Sequence, residues 1–326
     1  MSSKQEGIFM MLAIVAGIAQ PFFTDVHAQT YPSKPIRILV GVVPGGSTDV
    51  TARMVGQKIA EQLGQSVIVE NRSGASGAIA AERAATSPAD GYTLMAASAG
   101  DAVLPALRND LPYDFQRDLA PIARLATSPY VLVTHPSLPV RTVKDLIALA
   151  KSQPGKLNYG STGISGAFLA GALFNQMAQI SITPVPFKGG AEAAIANAAG
   201  QIEMNYPTIT AALSFLSTGR LRALSVTSAK RSSLLPAIPT VDESGLPGYD
   251  RAAWVGLLAQ SRVPREIITR LNGAVRTVLG SADLKDQLQK QGLEPLINAP
   301  EEFAAFIRRE IEQNIKLIKF TGVKTE

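Results

Sequence analysis

A strand that runs into a glycine turn and then into a helix constrains this chain most. Ile36–Val43 reads as a strand, and Pro44-Gly45-Gly46 turns it. Behind the turn Ala52, Val55, Ile59 and Leu63 recur three or four residues apart, the helical period. Ser47, Thr48 and Asp49 are good N-cap types, so the helix opens at one of them. A helix start leaves backbone N–H groups without helical partners, aimed at one spot. An anion is the natural occupant of that spot. Asp49, being negative, reads as a cap or first-turn residue and not as a contact for a carboxylate. The turn has no Lys or Arg and lacks both the P-loop lysine and the G-x-G-x-x-G spacing, so a nucleotide fits it poorly. A plain strand-to-helix turn is the other reading.

Short apolar runs alternate with helical patterns along the rest of the chain. The expected strands are Ile36–Val43, Val67–Glu70, Thr93–Ala96, Tyr130–Thr134, Leu157–Gly160, Ile182–Pro186, Ile202–Tyr206, Ala223–Thr227 and Val255–Ala259. Val143–Ser152, Gly166–Met177, Pro264–Leu279 and Pro300–Lys319 read as helices. This rhythm predicts an α/β fold with largely parallel sheets. The strand–loop–helix pattern returns at Leu157–Ser165 before Gly166–Met177, which suggests two lobes that each offer a helix N-terminus. In open α/β sheets ligands sit at the carboxyl ends of the strands, where these loops lie.

At 326 residues the chain is long enough for two cores. Its 46% hydrophobic and 17% charged content is that of a soluble globular protein. The absence of cysteine excludes disulfides, a thiol nucleophile, thiolate metal sites and a lipoprotein anchor. Ile8–Ile18 is almost wholly apolar but far short of the roughly 20 residues a membrane span needs. With Val26-His27-Ala28 before Gln29, residues 1–28 read as a cleaved secretory signal. A soluble exported protein without an anchor points to a Gram-negative periplasm. The net charge of +5 either steers anionic ligands or serves solubility. Scattered basic residues and few aromatics give no sign of nucleic-acid binding.

A series of motifs then follows in fixed order. It runs Tyr31-Pro32, Pro44-Gly45-Gly46, Val69-Glu70-Asn71-Arg72, Asp90-Gly91-Tyr92-Thr93-Leu94, Leu157-Asn158-Tyr159-Gly160-Ser161, Pro186-Phe187-Lys188-Gly189, Ile238-Pro239-Thr240-Val241, Glu243-Ser244-Gly245-Leu246-Pro247-Gly248-Tyr249 and Trp254. In this the chain resembles the Bug (TctC-like) family, the periplasmic solute-binding proteins of tripartite tricarboxylate transporters, over nearly all of residues 31–326. The resemblance implies a two-lobed periplasmic binding protein fold of type II-like architecture, each lobe a mainly parallel sheet flanked by helices, with the ligand cleft between them. It implies that the extended segments Pro121–Thr134 and Ala252–Gln260 are the two hinge crossings. Lobe one is then residues 29–130 plus 253–326, and lobe two 131–252. It also implies a carboxylate held largely by backbone N–H groups and bridging waters. The expected partners are a small organic acid (a di- or tricarboxylate or an aromatic carboxylate) and the membrane permease subunits of such a transporter, and the protein is expected to act as a monomer.

The expected ligand-binding residues are Pro44, Gly45, Gly46, Ser47 and Thr48 from the first loop, Ser98 from Ala97–Gly100, and Tyr159, Ser161, Thr162, Gly163 and Ser165 from the second main loop. Lys188 and Gly189, in a third strand-to-helix turn that the resemblance puts beside the cleft, and Asn205 complete the set. Capping or ordinary turn roles are open to each loop. The chain departs from the family where an aspartate often follows an aromatic residue: Tyr206 is followed by Pro207. That departure favours a plain or more apolar acid. No cofactor or metal is expected, because no acidic cluster is present. A Ser–His–acid hydrolase has to use His135, the one histidine beyond the signal, and no G-x-S-x-G elbow accompanies it. A sensor that presents its ligand to a signalling receptor uses the same site.

Overall fold

The computed structural model describes residues 31–323, and the segment 1–28 read above as a signal lies outside the described residues. The strands are β1 (Ile36–Val40), β2 (Val67–Asn71), β3 (Thr93–Ser98), β4 (Leu119–Pro129), β5 (Val131–Thr134), β6 (Asn158–Ser161), β7 (Thr183–Pro186), β8 (Met204–Asn205), β9 (Arg222–Val226), β10 (Ala252–Gln260) and β11 (Glu294–Pro295). The helices are α1 (Ser47–Leu63), α2 (Ala78–Ala85), α3 (Leu104–Leu107), α4 (Val143–Ser152), α5 (Gly166–Ala178), α6 (Gly190–Ala198), α7 (Ile209–Ser217), α8 (Arg265–Gly280), α9 (Ala282–Lys290) and α10 (Pro300–Thr321).

Two sheets carry these elements. One has the order β11-β4-β10-β3-β1-β2, the other β7-β6-β8-β5-β9. The α/β fold with two helix-flanked sheets is as expected, but both sheets are mixed where largely parallel ones were expected. In the first, β1 pairs in parallel with β2 and β3, while β10 runs antiparallel to β3 and β4. In the second, β6 is parallel to β7 and β8, while β5 is antiparallel to β8 and β9. The antiparallel halves arise because the segments read as hinge crossings are themselves strands. β4 and β10 pair along their length, from Leu119 opposite Gln260 to Pro129 opposite Ala252.

The two crossings are tied where they leave the first sheet. The Thr227 N–H donates to the Tyr130 carbonyl at 3.0 Å, and the Arg251 N–H donates to the Thr227 carbonyl at 2.7 Å. Helix α10 contributes to two cores. Phe303, Ile307 and Ile311 pack with Leu39, Met95, Trp254 and Leu258 of the first sheet. Leu317 and Ile318 pack with Leu132, Tyr159 and the α5 residues Leu169 and Leu173.

Candidate functional site

Each sheet has a point where its parallel strands part in opposite directions, and a crevice forms at the carboxyl end of such a switch. In the first sheet β1 has β2 on one side and β3 on the other; in the second β6 stands between β7 and β8. The carboxyl ends of β1, β3, β6, β7 and β8, with the loops after them, hold most of the residues expected from the sequence.

The first loop is braced from within. Strand β1 ends at Val40, three residues earlier than expected, because Gly41 leaves the sheet to pack on Gly77: a Cβ on Gly41 would lie 2.8 Å from the Gly77 Cα. The Asn71 amide, at the end of β2, donates to the Val42 carbonyl (3.0 Å) and to the Asp49 carboxylate (2.9 Å). Arg53, one turn beyond Asp49, bridges that carboxylate to the Asn71 side-chain oxygen. Burial works against ionisation of Asp49, but its hydrogen bonds to Arg53, Gly45 and Asn71 outweigh it and lower its pKa. Asp49 is thus a first-turn residue facing its own loop, as its sign required. Its other oxygen accepts the Gly45 N–H at 2.9 Å, and the Gly46 N–H reaches the Val43 carbonyl at 3.4 Å. Both glycine N–H groups are committed inside the loop. What remains is the start of α1, where Gly46 and not a hydroxyl residue is the N-cap and supplies no side-chain cap. The Ser47 and Thr48 N–H groups meet no partner among the described residues. Pro44, Gly45 and Ser47 are exposed, and Thr48 is buried.

Beside this loop lies Asp101, which sequence reading missed. Its carboxylate accepts the Ser98 N–H at 2.7 Å and the Ser98 hydroxyl at 2.9 Å. Asp101 is buried, with 5% of its surface exposed, and burial pushes its pKa up to about 6. Gly77 (φ +101°) makes room for it: a Cβ there would meet the Asp101 Oδ1 at 2.7 Å. Loops after three parallel strands thus converge through Gly41, Gly77 and Asp101.

The second sheet builds a matching set. Ser161 is buried; its carbonyl accepts the Phe187 N–H at 2.8 Å. Thr162 is half-buried and Gly163 exposed at φ +59°. The Ser165 hydroxyl caps α5, accepting the Phe168 N–H at 3.4 Å. Asn205, 2% exposed, lies against Gly160, where a Cβ would come 3.2 Å from its Oδ1 and 2.8 Å from Ala193 of α6. Gly189 is the N-cap of α6 and supplies no side-chain cap. The Lys188 N–H donates to Glu192 at 2.9 Å, and the exposed Lys188 ammonium forms no ion pair among the described residues. Tyr159 is a core residue, 1% exposed. Its ring packs on Gly171 and its hydroxyl donates to the Phe168 carbonyl at 3.1 Å. It supports the loop from behind.

Contacts join the two sets. The Tyr130 hydroxyl, between β4 and β5, lies where a Cβ of Gly166 would be, at the first residue of α5. Val103, two residues past Asp101, packs in the same core as Phe168 and Leu169. The His135 ring meets Ser137 two residues on, with 2.6 Å between Nδ1 and Oγ, and no acid orients it among the described residues. There too, no three histidine, aspartate or glutamate side chains are grouped as a metal would need.

Comparison with known proteins follows the same lines. The model of the tripartite tricarboxylate transporter family receptor, TctC, matches residues 51–323. Protein BugT of Bordetella pertussis is 36% identical over 321 residues, 98% of this chain and 96% of its own. Among solved structures, R. palustris Rpa4515 with adipate is 35% identical with a TM-score of 0.73, covering 91% of this chain and all of its own. MatC from Rhodopseudomonas palustris with bound malate is 30% identical with a TM-score of 0.69, covering 88% and 100%. The chain therefore belongs to the TctC family of tripartite tricarboxylate transporter receptors: it is a solute-binding protein of the periplasmic type, and not an enzyme.

Proposed function

We propose that this protein captures a small organic acid between two lobes, residues 29–130 with 253–326 and residues 131–252, and delivers it to the membrane permease subunits of a tripartite tricarboxylate transporter. It does so as a monomer in the Gram-negative periplasm, after loss of residues 1–28 and without a lipid anchor. The observation that carries the reading is the uncapped start of α1 at a switch point of the first sheet, with a second set of polar loops at the switch point of the other. Adipate and malate in two relatives put dicarboxylates first among the acids to test.

Magnitudes say how such a site holds its ligand. A helix N-terminus contributes roughly 0.3–1 kcal/mol, and about 2 when partly buried. Micromolar affinity needs about 8 kcal/mol. Charge-assisted hydrogen bonds of about 1.5–3 kcal/mol each supply the difference, from Ser47, Thr48, Thr162 and Gly163 N–H groups and from Lys188. Closure removes water and strengthens each of them. Closure itself follows if the acid prefers the closed arrangement.

The test is a thermal-shift screen against di- and tricarboxylates and aromatic acids, confirmed by calorimetry. An acid at about 100 times its dissociation constant adds about 2.7 kcal/mol of stability. Gly46→Val carries the placement of the site. A Cβ at Gly46 meets Val42 at 3.4 Å and the Val43 carbonyl at 3.6 Å, both ordinary contacts, so the variant folds at a cost of about 1 kcal/mol while its side chain blocks the helix start. It is expected to lose binding at least tenfold. Unchanged affinity moves the site elsewhere, and stabilisation by sugars or amides but by no acid ends the carboxylate reading.

A further inference from the structure

We propose that Asp101, acting through Ser98, makes the cleft wall of the first sheet select an acid that brings its own hydrogen-bond donor, a 2-hydroxy acid above all, over the same acid without the hydroxyl. The inference rests on the carboxylate-site reading above. Ser98 is the contact residue and Asp101 the positioning residue.

A serine hydroxyl has one proton. Ser98 gives that proton to the Asp101 carboxylate at 2.9 Å and its N–H to the same oxygen at 2.7 Å. Both donors of Ser98 are spent. Ser98 stands half-exposed at the end of β3, beside the switch point, so it presents oxygen lone pairs to the cleft. Lone pairs repel a carboxylate and accept from a hydroxyl or an ammonium. The buried charge of Asp101 behind them works in the same direction, because it forms no ion pair among the described residues. The pair cannot swing away: the carboxylate fills the space that Gly77 leaves by lacking a side chain, and Gly41 closes on Gly77 from the other side.

Protonation removes the charge behind this hydrogen bond. The titratable group facing Asp101 is Tyr113, whose hydroxyl is buried and has no partner among the described residues; Arg108 and Glu82 lie beyond it and act on Tyr113. Arg108 is also paired with Asp110. Burial with no compensating cation pushes Asp101 up to about 6. Below that pH the negative charge behind the Ser98 lone pairs is lost. The plain acid then gains.

The experiment is calorimetry on the purified protein with three matched pairs: succinate and malate, adipate and 2-hydroxyadipate, phenylacetate and mandelate. Each is titrated at pH 7.5 and pH 5 into the unmodified protein, D101N and S98A. At pH 7.5 the unmodified protein is expected to prefer the hydroxy member of the pair it binds by about 3- to 10-fold, the worth of one net hydrogen bond. In D101N the carboxamide oxygen still accepts both Ser98 donors but the buried charge is gone, so the plain acid gains and the ratio falls. S98A loses the ratio as well. At pH 5 the unmodified protein approaches D101N, and running the variant in parallel removes the acids' own protonation from the comparison. A preference for the plain acid at pH 7.5, or a ratio unmoved in D101N, overturns the proposal alone. Failure of all six acids to bind overturns the carboxylate site together with it.

Discussion

A carboxylate buried without a cation opposes folding at neutral pH, and Asp101 is such a group. Its folded pKa of about 6 lies above the ordinary 3.8, so it contributes its full stability below pH 4 and loses it as the pH rises through 6. The swing is up to about 3 kcal/mol at 1.36 kcal/mol per pK unit. Asparagine at this position does not titrate. Urea unfolding is therefore expected to show D101N gaining on the unmodified protein by up to about 3 kcal/mol between pH 4 and pH 7.5, whatever constant difference separates them. Parallel pH profiles refute the burial of the charge. The residue was illegible in the sequence because its environment is made at a distance: Gly77 and Tyr113 are remote along the chain, and the polar loop read from composition stops at Gly100. The same distance hid the bracing of the first loop, in which Asn71 and Arg53 hold Asp49. The expectation of a plain acid, drawn from Pro207, and the selection of a hydroxy acid by Asp101 disagree, and the matched acid pairs decide between them.

Helices were legible where apolar spacing and caps agree. α4 spans Val143–Ser152 as read, closed by a capping box between Thr142 and Asp145, and α5 follows its Ser165 cap. The strands of the first sheet's parallel half were legible as apolar runs. Ile202–Tyr206 shrinks to Met204–Asn205, because Asn205 turns its side-chain oxygen to the Tyr206 N–H. β4 read only as an extended segment, since the pairing that makes it a strand comes from β10, more than a hundred residues away. Packing between elements is where two glycines of similar appearance diverge. In α5 a Cβ on Gly171 would run into the Tyr159 ring, which an edge contact with Tyr206 at 5.9 Å and its bond to Phe168 hold in place. In α8 Gly273 is exposed with nothing near a Cβ. Gly171→Ala is expected to cost about 1–3 kcal/mol through overpacking. Gly273→Ala is expected to gain about 0.5–1 kcal/mol from helix propensity. Chemical denaturation reads both, and equal effects count against the packing of α5 on Tyr159.

At the scale of the molecule, a buried ion pair pins the helix that serves both cores to the crossing between the sheets. Arg251 Nη1 and Glu310 Oε1 lie 2.8 Å apart, with side chains 1% and 8% exposed. Neither atom makes an aligned hydrogen bond, so the contact is Coulombic. Burial raises the pKa of Glu310, and Arg251 only partly offsets it. Arg251 also passes its backbone N–H to Thr227 at the crossing between the sheets. The pair thus fixes the middle of α10, between its Phe303–Ile311 and Leu317–Ile318 core faces, to the segment that leads into β10. Desolvating two charges costs about as much as their attraction returns, so such a pair holds position more than it adds stability. Glu310→Leu strands a buried guanidinium and is expected to cost about 3–5 kcal/mol. The double variant R251M/E310L removes both charges, and its stability is expected to return to within about 2 kcal/mol of the unmodified protein. Urea unfolding of both variants makes the comparison. Should the double variant remain as unstable as the single one, the loss lies in packing and not in an orphaned charge, and α10 is held to the crossing by its apolar faces alone.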